Sequence, residues 1–352
     1  MTSRYSARID ALFAPWSAAH GMPGAAVRVT SYGDVIHSGD YGLADIGHPR
    51  RIAGDTAFLL ASLTKQFTAM AVMILAENGA VTYDQRLSEF LLGFPDYARE
   101  VTIRNLLQHT SGLQEFEDLF VSAKQISPPD DPNDGWPRSA SSTPSSYEPT
   151  TADTVELLKQ YDLEFAPGDQ KKYSNSGYVL LARIVEVLSG QSFPDFVKQR
   201  IFDPLGMDQS SVPVTQWRTV PQRATSYSWR SGAYADIDYT PLNNIYGEDG
   251  IYTTAEDMVR WDQALYTATL VKQSTLEEAF RPGKLNNGEP IDTGFGWFIG
   301  PEYADHEGGW LGFRTYIRRY RSRRLGIIVL ANCAELNAAA MGGDIADILL
   351  GE

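Results

Sequence analysis

Short apolar runs that are typical of β-strands lie near both ends of the chain, and segments with helical periodicity lie between them. Residues 25–30 (AAVRVT) and 34–38 (DVIHS) flank a turn at Tyr32-Gly33 and predict a hairpin. Three further β-rich runs are separated by turn signals and lie at residues 295–299, 315–320 and 325–330. The simplest arrangement is one sheet built from both ends of the chain.

Helical spacing is clearest at residues 62–78. Apolar residues recur there on one face, at Phe67, Met70, Ala71, Ile74 and Leu75. Gly79 follows at the position where a glycine commonly ends a helix. A second good helix is predicted at residues 254–266, with Thr254 as its cap. Weaker patterns predict an amphipathic helix at the N-terminus and helices at residues 87–92, 103–108, 154–160, 177–188, 195–201 and 337–350.

Two stretches do not follow either periodicity. Residues 127–150 hold six prolines and six serines, and this composition predicts a loop or flap inserted between two helical regions. We place the boundaries of this flap at residues 122–151. Residues 212–244 are rich in Tyr, Trp, Thr and Ser, and their pattern supports no assignment.

The order of the predicted elements indicates an α/β (α+β) fold in which a helical region interrupts a sheet. We expect a discontinuous sheet domain formed by residues 1–60 and 290–352. Residues 61–289 would form a mainly helical domain with loop insertions.

Composition excludes several classes of protein. The 352 residues carry a formal net charge of −14 and a pI near 4.8, which argues against a nucleic-acid partner because phosphate binding depends on Lys and Arg. Cys333 is the single cysteine and has no partner for an internal disulfide. No apolar run reaches the ~20 residues that span a bilayer, and none resembles a secretory signal. We therefore expect a cytoplasmic protein that does not bind membranes.

Ser62-Leu63-Thr64-Lys65 is the one S-x-x-K sequence in the chain. It stands at the start of the clearest predicted helix, where residues three apart share a face. A lysine whose pKa is lowered by a dry environment can accept the proton of a neighbouring serine and make it a nucleophile. Four-residue patterns also arise by chance. The alternative to a catalytic pair is therefore that Ser62 only caps the helix and that Lys65 is only a solvated surface lysine.

Two other segments contain side chains that can take part in catalysis. Tyr173-Ser174-Asn175 is the one Y-x-N sequence; its tyrosine can relay a proton, and its asparagine can orient a substrate or a lysine. The segment of residues 306–310 (HEGGW) lies between two predicted strands and has adjacent glycines, Gly308 and Gly309, which permit close approach of a ligand. No His, Asp or Glu cluster has the spacing of metal ligands, so neither a metal nor a cofactor is expected.

Taken in this order, the three segments resemble the motifs of the serine β-lactamase and penicillin-binding-protein superfamily. The chain looks most similar to the class C-like branch, which includes family VIII carboxylesterases. Ser62 and Lys65 match the first motif, and Tyr173 and Asn175 match the second. His306-Glu307-Gly308 stands where the third motif is usually Lys-Thr-Gly. Phrases such as TIRNLLQHTSGL and DGIYTTAEDMVRW extend the resemblance over nearly the whole chain.

The resemblance implies a mostly antiparallel, five-stranded sheet flanked by helices, beside an inserted and largely helical domain. It also implies two-step acyl transfer in which Ser62 attacks a carbonyl while Lys65 and Tyr173 share the proton transfers. The oxyanion would rest on the N–H groups of Ser62 and Gly309. Water would then hydrolyse the acyl-enzyme, with Tyr173 as the expected base.

The remaining site residues follow from the same resemblance: Asn175, His306 and Gly308 are expected to bind substrate beside the oxyanion site. His306 departs from the family pattern because a histidine is mostly neutral above pH ~6.5, whereas the usual lysine carries a permanent charge. This departure weakens the case for substrates that carry a carboxylate, as penicillins do.

We therefore expect a serine hydrolase that acts on small ester or amide substrates, with weak β-lactamase or D-peptidase activity as a side reaction. One alternative is a β-lactamase, D-aminopeptidase or D-carboxypeptidase proper. Another is a binding or sensor protein that is acylated but does not turn over. The sequence does not define the natural substrate or the oligomeric state.

Overall fold

The computed structural model describes residues 2–126, 147–213 and 219–351 of the chain. Most of the flap predicted at residues 122–151 lies outside these ranges. Residues 214–218, which belong to the unassigned stretch, lie outside them as well.

The described strands are few in number in the middle of the chain and cluster towards its ends. They are β1 (Ala25–Ser31), β2 (Asp34–Tyr41), β3 (Leu43–Asp45), β4 (Arg50–Arg51), β5 (Phe58–Leu59), β6 (Tyr227–Arg230), β7 (Ala233–Asp236), β8 (Tyr252–Thr253), β9 (Phe298–Ile299), β10 (Ala304–Trp310), β11 (Phe313–Tyr320) and β12 (Leu325–Ala331). Six of them form one antiparallel sheet in the order β2-β1-β12-β11-β10-β9. Five strands of seven or eight residues and the two-residue edge strand β9 make up this sheet, which confirms the predicted fold class and its construction from both ends of the chain.

Helices are the predominant regular structure of the segment between the two groups of sheet strands, within the described ranges. The described helices are α1 (Thr2–Leu12), α2 (Thr64–Glu77), α3 (Ile103–Leu107), α4 (Phe116–Ser122), α5 (Thr151–Leu158), α6 (Asn175–Ser189), α7 (Phe193–Val197), α8 (Asp203–Leu205), α9 (Ala255–Ala264), α10 (Gln273–Ala279) and α11 (Ala338–Leu350). Shorter turns of 3₁₀ helix lie at Ala18–His20, Ala61–Leu63, Leu87–Glu89, Asp96–Arg99 and Arg321–Arg323, and a π-turn lies at Lys198–Phe202. Within the described ranges, every helix is too short or too polar to cross a lipid bilayer.

The central strand β12 is buried on both faces, which explains why its sequence is apolar without alternation. Ile327 and Val329 point to one face and pack with α1 and α11 in a smaller core. Ile328 and Leu330 point to the opposite face and belong to the larger core, which also contains α2 and α6. The helix α9 packs against β1 and β12 from this second side. The sheet is thus a layer between two groups of helices.

Several segments differ from the sequence-based expectation. The helix expected at residues 87–92 is only the 3₁₀ turn Leu87–Glu89, and the strand expected at residues 295–299 is only Phe298–Ile299. Residues 306–310, expected between two strands, belong to strand β10. Charged residues and adjacent glycines have low strand propensity, so the alternating burial of this strand is hidden in its sequence. In the unassigned stretch, β6 and β7 form a hairpin. The division into a sheet domain and a helical domain stays a prediction.

Candidate active site

Ser62 lies on a 3₁₀ turn that leads directly into α2. The preceding residue, Ala61, has a φ of 50°, so the backbone bends sharply just before the serine. Two hydrogen bonds fix the residue before this bend: Leu60 N–H donates to the Ile251 carbonyl at 2.8 Å, and the Thr315 hydroxyl donates to the Leu60 carbonyl at 2.6 Å. The turn is therefore anchored both to strand β11 and to the segment that enters β8.

The Lys65 side chain lies one helical turn beyond Ser62 and is fully buried, with 0% of its surface exposed. Its Nζ donates to Ser62 Oγ at 3.1 Å, to Asn175 Oδ1 at 2.8 Å and to the Glu248 carbonyl oxygen at 3.0 Å. An ammonium group has three N–H donors. All three are satisfied, so the amine has one defined position with Ser62 as one of its partners.

Burial lowers the pKa of Lys65 from its ordinary value to about 8, because the charged form loses its hydration. Four buried or half-buried acids oppose this effect. We call them the acidic cluster: Glu115, Glu117, Glu248 and Asp249. Their negative charge favours the ammonium form and prevents a larger fall of the lysine pKa.

The acidic cluster is itself perturbed by burial. Loss of hydration raises the pKa of Glu115 to about 7, that of Glu248 to about 7 and that of Asp249 to about 6. Burial also raises the pKa of Glu117 well above its ordinary value, with the nearby charge of Glu115 as the next cause. The cluster and Lys65 therefore exchange protons near neutral pH as one coupled system.

Tyr173 lies over the same amine, with its ring centroid 4.9 Å from Lys65 Nζ. Its phenol oxygen is buried and has no hydrogen-bond partner of normal geometry among the residues that the structure describes. Ser62 is nevertheless near enough to favour the ionised phenol in part. Burial outweighs this contribution and raises the pKa of Tyr173. The ring of His109 stacks on Tyr173 at a centroid distance of 4.4 Å, and His109 Nδ1 accepts the Ser174 N–H at 3.0 Å.

Asn175 is the first residue of α6, after Ser174, whose side chain caps the helix by accepting the Gly177 N–H. The Asn175 amide connects two groups, because Oδ1 accepts from Lys65 while Nδ2 donates to Glu117 Oε1 at 2.6 Å. Its backbone N–H donates to Glu115 Oε2 at 2.7 Å. The residue is thus held at three points.

His306 lies on β10 and is almost completely buried. Its Nδ1 is 2.6 Å from the carbonyl oxygen of Glu307, which can only accept, so the ring carries its proton on Nδ1. Burial and the nearby Lys65 lower the pKa of His306 to about 3, which makes the ring neutral. Phe298 stacks on it at 5.0 Å, and Tyr173 lies 6.2 Å away. The position therefore carries no positive charge.

Gly308 brings β10 against the turn that carries the serine. A Cβ at this position would overlap the Thr315 hydroxyl and lie 2.5 Å from the Leu60 carbonyl and 3.1 Å from Ser62 N. A larger residue cannot fit without displacing backbone. Gly309 has more space, since a Cβ there would meet nothing closer than 3.7 Å.

The structure thus brings Ser62, Lys65, Tyr173 and Asn175 into contact around one amine, with β10 beside them. The roles of these residues stay predictions at this point.

The acidic cluster was not predicted from the sequence. Its members lie shortly after the TIRNLLQHTSGL phrase and at the start of the DGIYTTAEDMVRW phrase, and no spacing of single acids marks them as partners. Among the residues that the structure describes, no group of His, Cys, Asp and Glu is placed to hold a metal ion.

Comparison with known proteins gives consistent results. A model of the beta-lactamase family matches residues 9–351 of the chain. Penicillin-binding protein 4* from Bacillus subtilis is 35% identical over 323 residues, which are 86% of this chain and 66% of that protein. The chain spans 60% to 71% of the lengths of the curated relatives it matches.

Solved structures share the fold over almost the entire chain. An octameric penicillin-binding protein homologue from Pyrococcus abyssi superposes with a TM-score of 0.81 at 22% identity, covering 98% of this chain and 77% of the other. A D-stereospecific amidohydrolase from Streptomyces sp. superposes with a TM-score of 0.77 at 22% identity and covers 99% of both chains.

Proposed function

The chain belongs to the beta-lactamase family, whose members are serine hydrolases, and we propose that it cleaves small ester or amide substrates through an acyl-enzyme on Ser62. The contact of Lys65 Nζ with Ser62 Oγ at 3.1 Å carries this proposal. A serine needs a base within hydrogen-bond reach to become nucleophilic. The buried amine provides one, because its pKa of about 8 leaves about a tenth of it neutral at pH 7.

In the acylation step, the Ser62 oxygen forms a bond to the substrate carbonyl carbon while its proton moves to the neutral Lys65 amine. The carbonyl π-electrons move to oxygen and create the oxyanion. We place this oxyanion between the N–H groups of Ser62 and Gly309, since Gly308 packs β10 directly against Ser62 N. Each such donor lowers the barrier by on the order of 3 kcal/mol.

Collapse of the tetrahedral intermediate breaks the bond to the leaving alkoxide or amine, which must receive a proton. We assign this delivery to Tyr173, because its ring lies beside the Lys65 amine, its phenol is close to Ser62, and burial keeps it protonated. The Lys65 ammonium then returns a proton to the phenol. The raised pKa of Tyr173 argues against a free phenolate as the base of hydrolysis, so we propose that Lys65 drives deacylation with Tyr173 as the relay.

The electrostatics of the site support neutral substrates over substrates that carry a carboxylate. His306 is neutral at the place where the third motif of the family usually has a lysine, and the formal net charge of the chain is −14. The acidic cluster adds further negative charge when it is ionised. A second candidate, D-amino-acid amide or peptide hydrolysis, is supported by the name of the Streptomyces neighbour, a D-stereospecific amidohydrolase.

A substrate panel tests the proposal directly. Purified protein is assayed with p-nitrophenyl acetate and butyrate, nitrocefin and D-alanyl p-nitroanilide, and the Ser62→Ala variant is measured in parallel. We expect ester turnover that exceeds nitrocefin turnover, and loss of both turnover and fluorophosphonate labelling in S62A. Undiminished activity of S62A would remove the nucleophile from position 62. A stoichiometric burst without turnover on every substrate would instead identify an acylatable sensor.

A further inference from the structure

The Asn175 amide stands between the lysine and the acidic cluster. Its carbonyl oxygen accepts from Lys65 Nζ at 2.8 Å, and its Nδ2 donates to Glu117 Oε1 at 2.6 Å. An amide that rotates by 180° would exchange these ends. The Nδ2 group would then face the ammonium, and two donors would point at each other.

The two other partners of the lysine do not determine which way this amide points. Lys65 also donates to Ser62 Oγ and to the Glu248 carbonyl, and neither group contacts the Asn175 side chain in the described hydrogen bonds. Glu115 accepts the Asn175 backbone N–H and holds the main chain rather than the side chain. Apart from the contact with Lys65 itself, the hydrogen bond to Glu117 is therefore the contact in the described part of the chain that distinguishes the two ends of the amide.

We infer that Glu117 is a positioning residue for catalysis: it fixes the orientation of the Asn175 amide and, through it, the place of the Lys65 amine beside Ser62. This inference rests on the proposed function and extends it to a residue that does not touch the reacting atoms. Glu117 is on α4 and is 4% exposed, so its side chain has few alternative positions.

The protonation state of Glu117 suits this role. Burial and the charge of Glu115 raise its pKa well above the ordinary value, which favours the neutral acid over the carboxylate. A neutral carboxyl accepts the amide N–H through its carbonyl oxygen without adding a full charge beside the lysine. Charged or titratable groups facing this site from the other elements are Lys65, Glu115, Tyr173, Glu248 and Asp249.

Two substitutions at position 117 separate the hydrogen bond from the charge. Glu117→Gln keeps a neutral acceptor of the same shape, whereas Glu117→Leu removes the acceptor and keeps the volume. We expect E117Q to retain a third or more of the wild-type kcat on p-nitrophenyl acetate. We expect E117L to lose about tenfold or more in kcat with KM within threefold, since small displacements of a catalytic group are costly. Asp118→Asn, an exposed neighbour on the same helix, controls for a change of charge.

A double-mutant cycle with Asn175→Ala distinguishes positioning from a general structural defect. Fluorophosphonate labelling rates are compared because they remain measurable in slow variants. If Glu117 acts through Asn175, E117L lowers the rate about tenfold in wild type and less than about twofold in the N175A background. Equal losses in both backgrounds, or no loss from E117L in wild type, would overturn the inference. If E117L does not fold by circular dichroism, Glu117→Met replaces it in the same cycle.

The controls also separate this inference from the proposed function. If S62A is inactive and unlabelled while E117L behaves as wild type, only the role of Glu117 is wrong. If S62A remains as active as wild type, the proposed function fails, whatever the variants at position 117 show.

Discussion

The acid limb of the pH–rate profile should move when one charge beside the lysine is removed. Glu248 is the strongest of the acids that oppose the fall in the Lys65 pKa, and its backbone carbonyl also accepts from the amine. Glu248→Gln removes the negative charge and leaves the carbonyl in place. Without that charge the ammonium form of Lys65 is less favoured, so the pKa of Lys65 falls further.

The size of the effect follows from the protonation equilibrium. With a pKa of about 8, about a tenth of Lys65 is neutral at pH 7; an unperturbed lysine would be about 300-fold less neutral, a difference of about 3 kcal/mol. Loss of a nearby opposite charge shifts a pKa by roughly one pH unit. The limb should then centre near pH 7 in E248Q, and the rate at pH 7 should rise up to about fivefold. The pKa read from the midpoint of this limb reflects the titration of the whole coupled cluster, so it is an apparent pKa and not that of Lys65 alone.

The assay is kcat/KM for p-nitrophenyl acetate from pH 5.5 to 9.5, corrected with S62A for background hydrolysis. Asp118→Asn serves as the matched charge control, since this acid is exposed on α4. A limb that stays in place, or moves to higher pH in E248Q, would refute the assignment of Lys65 as the base tuned by this acid.

Thermal stability provides a second readout of the same substitution. Burial raises the pKa of Glu248 to about 7, so between its unfolded value near 4.5 and about 7 the folded protein binds more protons than the unfolded chain. The stability that this acid contributes is therefore present at low pH and lost as the pH rises through about 7. Glutamine cannot ionise, so the Tm of E248Q relative to wild type should increase from pH 5 to pH 8. A difference that is constant over this range would contradict the raised pKa.

Three further outcomes are expected. Lys65→Ala should keep the fold by circular dichroism but lower the acylation rate by about 100-fold or more, as removal of a positioned base does; a loss below tenfold would mean that another group accepts the proton. Gly308→Ala should lower both Tm and kcat, because its Cβ would overlap Thr315 and press on the Leu60 carbonyl; wild-type values would show that β10 has room to move. EDTA should leave turnover unchanged, and restoration of lost activity by a divalent cation would disprove metal-independent hydrolysis.

The sequence predicted those parts of the fold in which local pattern and tertiary environment agree. The helix predicted at residues 62–78 is present as α2 (Thr64–Glu77) and is followed by Gly79, because apolar residues at helical spacing and one left-handed glycine specify them locally. Strand β10 was missed because its tertiary environment, and not its intrinsic propensity, makes it a strand. It pairs with β11 along its length, although Asp305, Glu307 and two adjacent glycines lie within it.

The same distinction applies to the site. Ser62, Lys65, Tyr173 and Asn175 occur in two short patterns whose residue types suggest chemistry, so they could be proposed from sequence. The acidic cluster could not, because single glutamates and aspartates are common on surfaces and nothing local shows that these are buried. Their effect arises because two segments separated by more than 100 residues both lie near the Lys65 amine in the folded chain.

The acidic cluster explains how one buried lysine can serve as both base and acid. Burial alone would drive the Lys65 pKa so low that the amine would seldom hold the proton that the leaving group needs. Fully ionised acids in contact with it would hold the amine as an ammonium, which cannot accept the proton of Ser62. Because burial also raises the pKa values of Glu115 and Glu248 to about 7, the cluster is partly neutral and its pull on Lys65 is limited. The result is a lysine pKa of about 8, close enough to neutral pH for both forms to be populated in each catalytic cycle.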